Sequence, residues 1–239
     1  YFIIQKYLEL FDEIQFKNIM LEKKRYLFLR TFYYFYKSRT FKKIDPYPVS
    51  THFPILIGIS SLFKINYVYE TGSGIFSTGI FLNKDVFKHL ISLNSLENDK
   101  MWFDKITKMY KKSNIKLVKG SISKNVSSKL VRNADLVFVD DSTSSAERAK
   151  TIKQVLDYNP KLVVVHDFEN KSYRKITKKS KVYEEVWIKA FLPNTGIIFN
   201  KNYIESASIQ KLKCIIDEKC KYTVSNDIKE WKLNFKNSF

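Results

Sequence analysis

Apolar and polar positions change rhythm along this chain, and each rhythm predicts an element. From Tyr1 to Asp45, where neither Gly nor Pro occurs, Ile4, Leu8, Phe11, Ile14, Ile19, Leu27 and Phe35 recur at helical spacing and predict one or two helices. HFPILIGISSLF predicts a helix with Pro54 in its first turn. Strands are expected at Tyr67–Glu70, Leu90–Leu96, Ile115–Lys119, Asp135–Asp140 and Leu162–His166. Helices are expected from Ser77 to Leu82, from Lys100 to Lys112 with Trp102, Ile106 and Tyr110 on one face, and from Ala146 to Tyr158. The strands are apolar almost throughout, as in a parallel sheet covered by helices on both faces. Glu185–Phe191 and Thr195–Asn200 flank LPNTG, a hairpin signal. From Ile204 onward the pattern is mixed and predicts a helix and a final strand. No repeat and no flexible linker divides the chain. The expected organisation is an N-terminal helical segment over 1–50, an α/β domain over 51–203 and a tail over 204–239.

The chain has 239 residues, enough for one α/β domain with an appended segment. Its formal net charge of +18 can attract nucleic acid, anionic lipid or acidic substrates, although a lysine-rich surface alone also produces it. The aromatic and basic residues of KKRYLFLRTFYYFYKSRTFKK can lie on a membrane surface, grip nucleic acid or pack against the chain's own domain. The uncharged run from Pro46 to Phe63 approaches membrane-spanning length, but Pro46, Pro48 and Pro54 make it a loop followed by a buried helix. Cys214 and Cys220 do not have a zinc spacing, which fits a reducing cytoplasm. The sequence begins at Tyr1 rather than Met, so a trimmed start is expected, and its opening residues do not read as a signal peptide.

The densest chemistry is in YVYETGSGIFSTG, Tyr67 to Gly79, where Glu70 ends a strand and Gly72 and Gly74 follow. A ligand that approaches the backbone closely is the expected reason for such glycines. A P-loop needs Gly-Lys-Ser/Thr, and no lysine follows Gly79 before Lys84. A dinucleotide turn has G-x-G-x-x-G, but Ser77 stands at the third place, and Glu70 would repel a pyrophosphate. S-adenosylmethionine has no phosphate, and its sulfonium and ammonium groups suit a carboxylate at a strand tip.

These residues resemble class I S-adenosylmethionine-dependent methyltransferases. VYETGSG resembles their first motif, LISLNSLENDKMWFDKI the second, KLVKGSIS the third strand and its turn, ADLVFVDD the fourth strand and LVVVHD the fifth. HFPILIGISSLF and GIFST resemble a bacterial and archaeal subgroup. The likeness spans about Thr51 to Asn200. It implies a Rossmann-like, doubly wound, mostly parallel sheet with a C-terminal antiparallel hairpin, preceded by N-terminal helices. It assigns cofactor contacts to Glu70, Thr71, Gly72, Ser73, Gly74, Ser77, Thr78, Glu97, Ser121 and Asp140. Glu97 would accept the ribose hydroxyls, with Asn94 as its rival should the strand end earlier. Ser121 stands on the adenine side, where the family often has Asp.

Two routes to the acceptor's proton follow from the resemblance. In the first, Asp140 and Asp167 hold Mg²⁺, as catechol-type O-methyltransferases do at strands four and five. Those enzymes have Asn after the second Asp where this chain has Phe168, and their lysine after the first Asp is missing between Ser142 and Ser145. In the second, His166 or Asp167 is a general base without metal, and Asp141 can replace Asp140 in either route. Arg148 is read as a helix-surface residue or as an anchor for an anionic acceptor. His52 and His89 are read as structural. VDDSTSS lacks the Asn/Asp-Pro-Pro-aromatic signature of amino methylation on bases. The expected activity is O-methylation of a small-molecule or glycan acceptor. The rivals are an RNA ribose 2′-O-methyltransferase working through the basic surface, and a non-enzymatic binding protein on the same fold. Replacing Gly72 by Val is expected to abolish cofactor binding while the chain stays folded.

Overall fold

A computed structural model describes residues 52–84, 86–111, 114–142, 144–188 and 194–212. The helical segment expected over 1–50 and most of the tail expected over 204–239 lie outside these residues.

Seven strands form one sheet in the order β3-β2-β1-β4-β5-β7-β6. They are β1 Tyr67–Thr71, β2 Ser92–Glu97, β3 Asn114–Leu117, β4 Leu136–Val139, β5 Leu162–Val165, β6 Tyr183–Ile188 and β7 Thr195–Asn200. The first five pair in parallel, and β7 runs antiparallel to both β5 and β6. This is the doubly wound sheet with a C-terminal antiparallel pair that the sequence predicts. Chain order reverses between β1 and β4, so the carboxyl ends of those strands form the switch-point crevice where such folds bind ligands.

Strand periodicity divides the interior in two. Leu136 and Phe138 of β4, with Leu162 and Val164 of β5, join one buried cluster. Val137, Val139, Val163 and Val165 join the other. The first cluster is covered by α1 Phe53–Leu62, α2 Ser77–Phe81, α3 Lys100–Met109 and a helix over 206–212. The second is covered by a 3₁₀ turn Ile122–Asn125 and by α4 Ser128–Asn133, α5 Ser145–Asp157 and α6 Lys171–Thr177. Each fully buried aliphatic side chain in these layers contributes about 1.5–3 kcal/mol.

Pro54 does lie in the first turn of α1. The ten residues of α1 are far short of a span, and no helix among the described residues is long and apolar enough to cross a membrane. In α3, Ile106 is buried and Trp102 and Tyr110 pack against the first cluster, as their spacing predicts. Strand β2 begins at Ser92 rather than Leu90 and runs through Glu97, so Glu97 is its last residue. The short helices α4 and α6 were not expected. Each opens on a side-chain cap: Ser127 accepts from Leu130 N, and Asn170 accepts from Ser172 N.

Candidate functional site

The turn after β1 is the first half of the site, and it is almost wholly buried. Glu70 is 0% exposed, and Thr71, Ser73, Ser77 and Thr78 are buried around it. Thr78 Oγ1 donates to Glu70 Oε2 at 2.8 Å and accepts from Gly74 N at 3.0 Å. Ser95 of β2 donates to the same carboxylate oxygen. Glu70 therefore ties β1, β2 and α2 together and fixes the glycine turn through Thr78. The Ser77 hydroxyl lies close enough to favour the charged form, without making a bond of good geometry to Oε1. Burial nevertheless pushes the Glu70 carboxyl up to about 7, against the pull of the Ser77, Ser95 and Thr78 hydroxyls.

Gly72 has φ +81°, and a Cβ there would stand 2.1 Å from the Asp140 carbonyl oxygen. Its amide donates to Leu96 O at 2.9 Å. The missing side chain lets the turn lie on the end of β4, so the chain's own backbone accounts for this glycine and no ligand is needed to explain it. The sequence-based expectation that Gly72→Val would spare the fold is therefore wrong: Val would strike Asp140 and Asp141 backbone.

Glu97 stands beside the turn, at the end of β2. Its Oε1 accepts from the backbone amides of Asn98 and Asp99 at 2.8 and 2.9 Å, and its Oε2 accepts from Ser73 Oγ at 3.0 Å. Trp102 Nε1 donates to Ser73 O at 2.6 Å, closing the turn from α3. Asn94, the rival acceptor, lies mid-strand. It pairs with Asn114 of β3, whose Nδ2 donates to Asn94 Oδ1 at 2.6 Å, and β2 does not end near it. Ser121 precedes the 3₁₀ turn and donates to Glu147 of α5 at 3.0 Å.

The second half lies at the ends of β4 and β5, where Asp140, His166 and Asp167 converge. His166 Nδ1 is 3.4 Å from Asp140 Oδ1 and 3.4 Å from Asp167 Oδ1. One ligand-type atom from each of the three lies within 4.8 Å of the others. Sequence reasoning undervalued Arg148. It is 4% exposed, and its Nη2 donates to Asp140 Oδ1 at 2.8 Å. Its Nη1 donates to Asp167 Oδ2 at 2.6 Å and to the His166 carbonyl at 3.0 Å. The signal was present: Arg148 shares the buried stripe of α5 with Thr151, Ile152 and Val155.

Burial opposes ionisation of Asp140, but His166 and then Arg148 outweigh it and hold the carboxyl below its ordinary range. Burial likewise pushes His166 down, and Asp140 and then Asp167 overcome it, so its pKa is raised. Burial pushes the neighbouring Asp141 carboxyl up, although Thr151 donates to it. Asp167 has φ +58°, a left-handed conformation that Asp tolerates better than most residues.

His52, just ahead of α1, was read as structural, yet it reaches this cluster. Its ring meets that of His166 edge-on at 5.2 Å and lies 4.9 Å from Phe138. Burial first, and then His166, pushes its pKa down to about 3, so it is neutral at physiological pH. Phe168, which follows Asp167 where the resembling enzymes have Asn, is 0% exposed and packs on Gly196 of β7. It belongs to the core and offers no ligand atom.

No protein-family profile and no curated protein matches the chain. Solved structures do. An S-adenosylhomocysteine-bound methyltransferase, PaMTH1 of Podospora anserina, superposes at a TM-score of 0.52 with 14% identity, covering 72% of this chain and 87% of that one. The O-methyltransferase TomG of Streptomyces achromogenes, solved with S-adenosylmethionine, gives a TM-score of 0.47 at 11% identity, covering 62% and 78%. The first likeness shows the fold: this chain has the Rossmann-like fold of class I methyltransferases.

Proposed function

We propose that the chain is an S-adenosylmethionine-dependent methyltransferase that methylates a hydroxyl oxygen of a small-molecule or glycan acceptor. One observation carries the reading. Two acids, Glu97 and Asp140, flank the β1 turn at the switch point, and no Lys or Arg occurs from residue 67 to residue 83. That set of acids suits a cationic ligand with a diol, and the turn itself sets no basic side chain against a diphosphate.

Glu97 would hold the ribose, since Asn98 and Asp99 amides fix its carboxylate and spare lone pairs remain. The turn from Thr71 to Gly74, with Ser77 and Thr78, would shape the methionine side of the pocket. Ser121 would border the adenine. Glu70 acts here through Thr78, by holding the turn rather than by touching the ligand. When bound, the cofactor supplies a methyl group on sulfur; the new O–C bond forms as the C–S bond breaks, and the electron pair stays on sulfur.

The chain must align the acceptor and remove one proton. The exposed parts of the β4–β5 cluster are carboxylates: the Asp140 and Asp167 side chains are 25% and 40% exposed, against 5% for His166. A carboxylate accepts the hydrogen bond from the acceptor hydroxyl, and His166 Nδ1 behind it takes up the proton. Mg²⁺ fits poorly, because Arg148 already bridges both carboxylates, and no step needs it.

The test is formation of S-adenosylhomocysteine from S-adenosylmethionine with a panel of hydroxylated acceptors, followed by mass spectrometry. Turnover with at least one hydroxyl acceptor, lost in His166→Ala, supports the reading. Cofactor binding with methylation only of nitrogen acceptors would overturn the oxygen assignment.

Ribose 2′-O-methylation of RNA is the second reading. The observation behind it is the run of exposed Lys175, Lys178, Lys179 and Lys181 at and beyond the end of α6, with no acid between 170 and 183. It requires RNA binding whose affinity falls steeply with salt.

A further inference from the structure

Methyltransferases that activate a hydroxyl with a dication need carboxylates whose charge is available to the ion. Here the two carboxylates at the ends of β4 and β5 share a cation that belongs to the chain. Arg148 donates from Nη2 to Asp140 and from Nη1 to Asp167, and the same Nη1 reaches the His166 carbonyl. Its position is not adjustable: it is 4% exposed and lies on the apolar stripe of α5 between the sheet and α6. A planar fork in a fixed place holds two carboxylates in one geometry, which a hydrated ion would otherwise do. A dication added beside a guanidinium 2.6–2.8 Å from both carboxylates meets repulsion and half-used ligands. The Asn that follows the second Asp in the resembling metal-using enzymes is also absent, since Phe168 stands there and is core, and His166 Nδ1 is left as the third ligand-type atom.

We propose that Arg148 stands in place of the divalent ion, a built-in monocation that positions Asp140 and Asp167 around His166 and makes the site metal-independent. Arg148 is a positioning residue: it touches the two carboxylates and not the acceptor. The proposal rests on reading this cluster as the transfer site, but its first arm measures metal binding alone and stands apart from any activity.

The probe is Mn²⁺, followed by its paramagnetic resonance signal and by calorimetry on the full chain. The wild type is expected to show no saturable Mn²⁺ binding up to millimolar concentrations. Saturable binding by the wild type that Asp140→Asn removes would overturn the proposal, whether or not any Arg148 variant folds. In Arg148→Met the carboxylates lose their partner, and Mn²⁺ is expected to bind and to raise the melting temperature by several degrees. The wild type is expected to show no such shift. Arg148→Lys keeps the charge without the fork and should exclude Mn²⁺ as the wild type does. A melting temperature of Arg148→Met that falls and is not restored by Mn²⁺ would mean that Arg148 is structural only, and would also overturn the proposal. In the second arm, turnover is expected to persist in EDTA; its loss, with recovery on added Mg²⁺, would contradict metal independence and leave the methyl-transfer reading standing.

Discussion

The two halves of the crevice are built from opposite chemistries. At the end of β1 a single carboxylate, Glu70, is held by Thr78 and Ser95 and has no exposure. At the ends of β4 and β5 two carboxylates share one arginine and one histidine and keep their outer faces in solvent. The first half is fixed by neutral donors and backbone contact, and its charge costs stability. The second is fixed by charge, and its parts stand or fall together. A turn that must keep its shape is buried, whereas groups that must meet a substrate keep an exposed edge.

The largest effect expected is at Gly72. Val there would place a Cβ 2.1 Å from the Asp140 carbonyl at φ +81°, so no cooperative thermal transition is expected. Gly74→Ala would meet only the Ser77 hydroxyl, at 2.5 Å, and should melt within a few degrees of the wild type. Equal loss from both would break the contrast between backbone packing and side-chain packing. Next comes Arg148→Met, which leaves two partly buried carboxylates without their cation and should cost about 3–5 kcal/mol in denaturant unfolding.

Glu70 gives an effect with a defined sign. Its carboxyl ordinarily titrates at 4.5 and is pushed up to about 7 in the fold, so the folded chain holds a proton that the unfolded chain has lost. Stability should therefore fall as pH rises from about 4.5 to about 7, by roughly 3 kcal/mol. Glu70→Gln should flatten that slope in unfolding curves measured across the range. An unchanged slope would mean that the carboxylate is solvated. Smaller again, Glu97→Ala should weaken S-adenosylhomocysteine binding about tenfold, or about 1.4 kcal/mol, and lower the melting temperature by several degrees, because Ser73 and the Asn98 and Asp99 amides lose their acceptor. Finally, His166 is held above its ordinary pKa, so the neutral form that accepts a proton is populated only at higher pH. The acid limb of the rate profile should lie above 6.5 and move in Asp140→Asn.

The same contrast explains what could be read from the sequence. The five parallel strands were legible because both faces of β4 and β5 are buried, which leaves unbroken apolar runs such as LVFV and LVVV. The hairpin announced itself through LPNTG. Short α4 and α6 hold too few residues for a periodic pattern, and only their caps at Ser127 and Asn170 mark them. In the site, the glycine turn was visible but its cause was not. Nothing local says that Gly72 lies on Asp140, which is 68 positions away and adjacent only because β1 pairs with β4. Arg148 could have been found from its place on the apolar stripe of α5. The approach of His52 to His166 could not, because only the packing of α1 against the sheet brings the rings together.

The most direct test is a calorimetric titration of the full chain with S-adenosylhomocysteine, alongside a circular dichroism check that the chain is folded. The account predicts saturable one-to-one binding that Glu97→Ala weakens about tenfold and that NAD⁺ does not displace. A folded chain that gives no heat with S-adenosylhomocysteine, or that binds a dinucleotide in the same crevice, would contradict it.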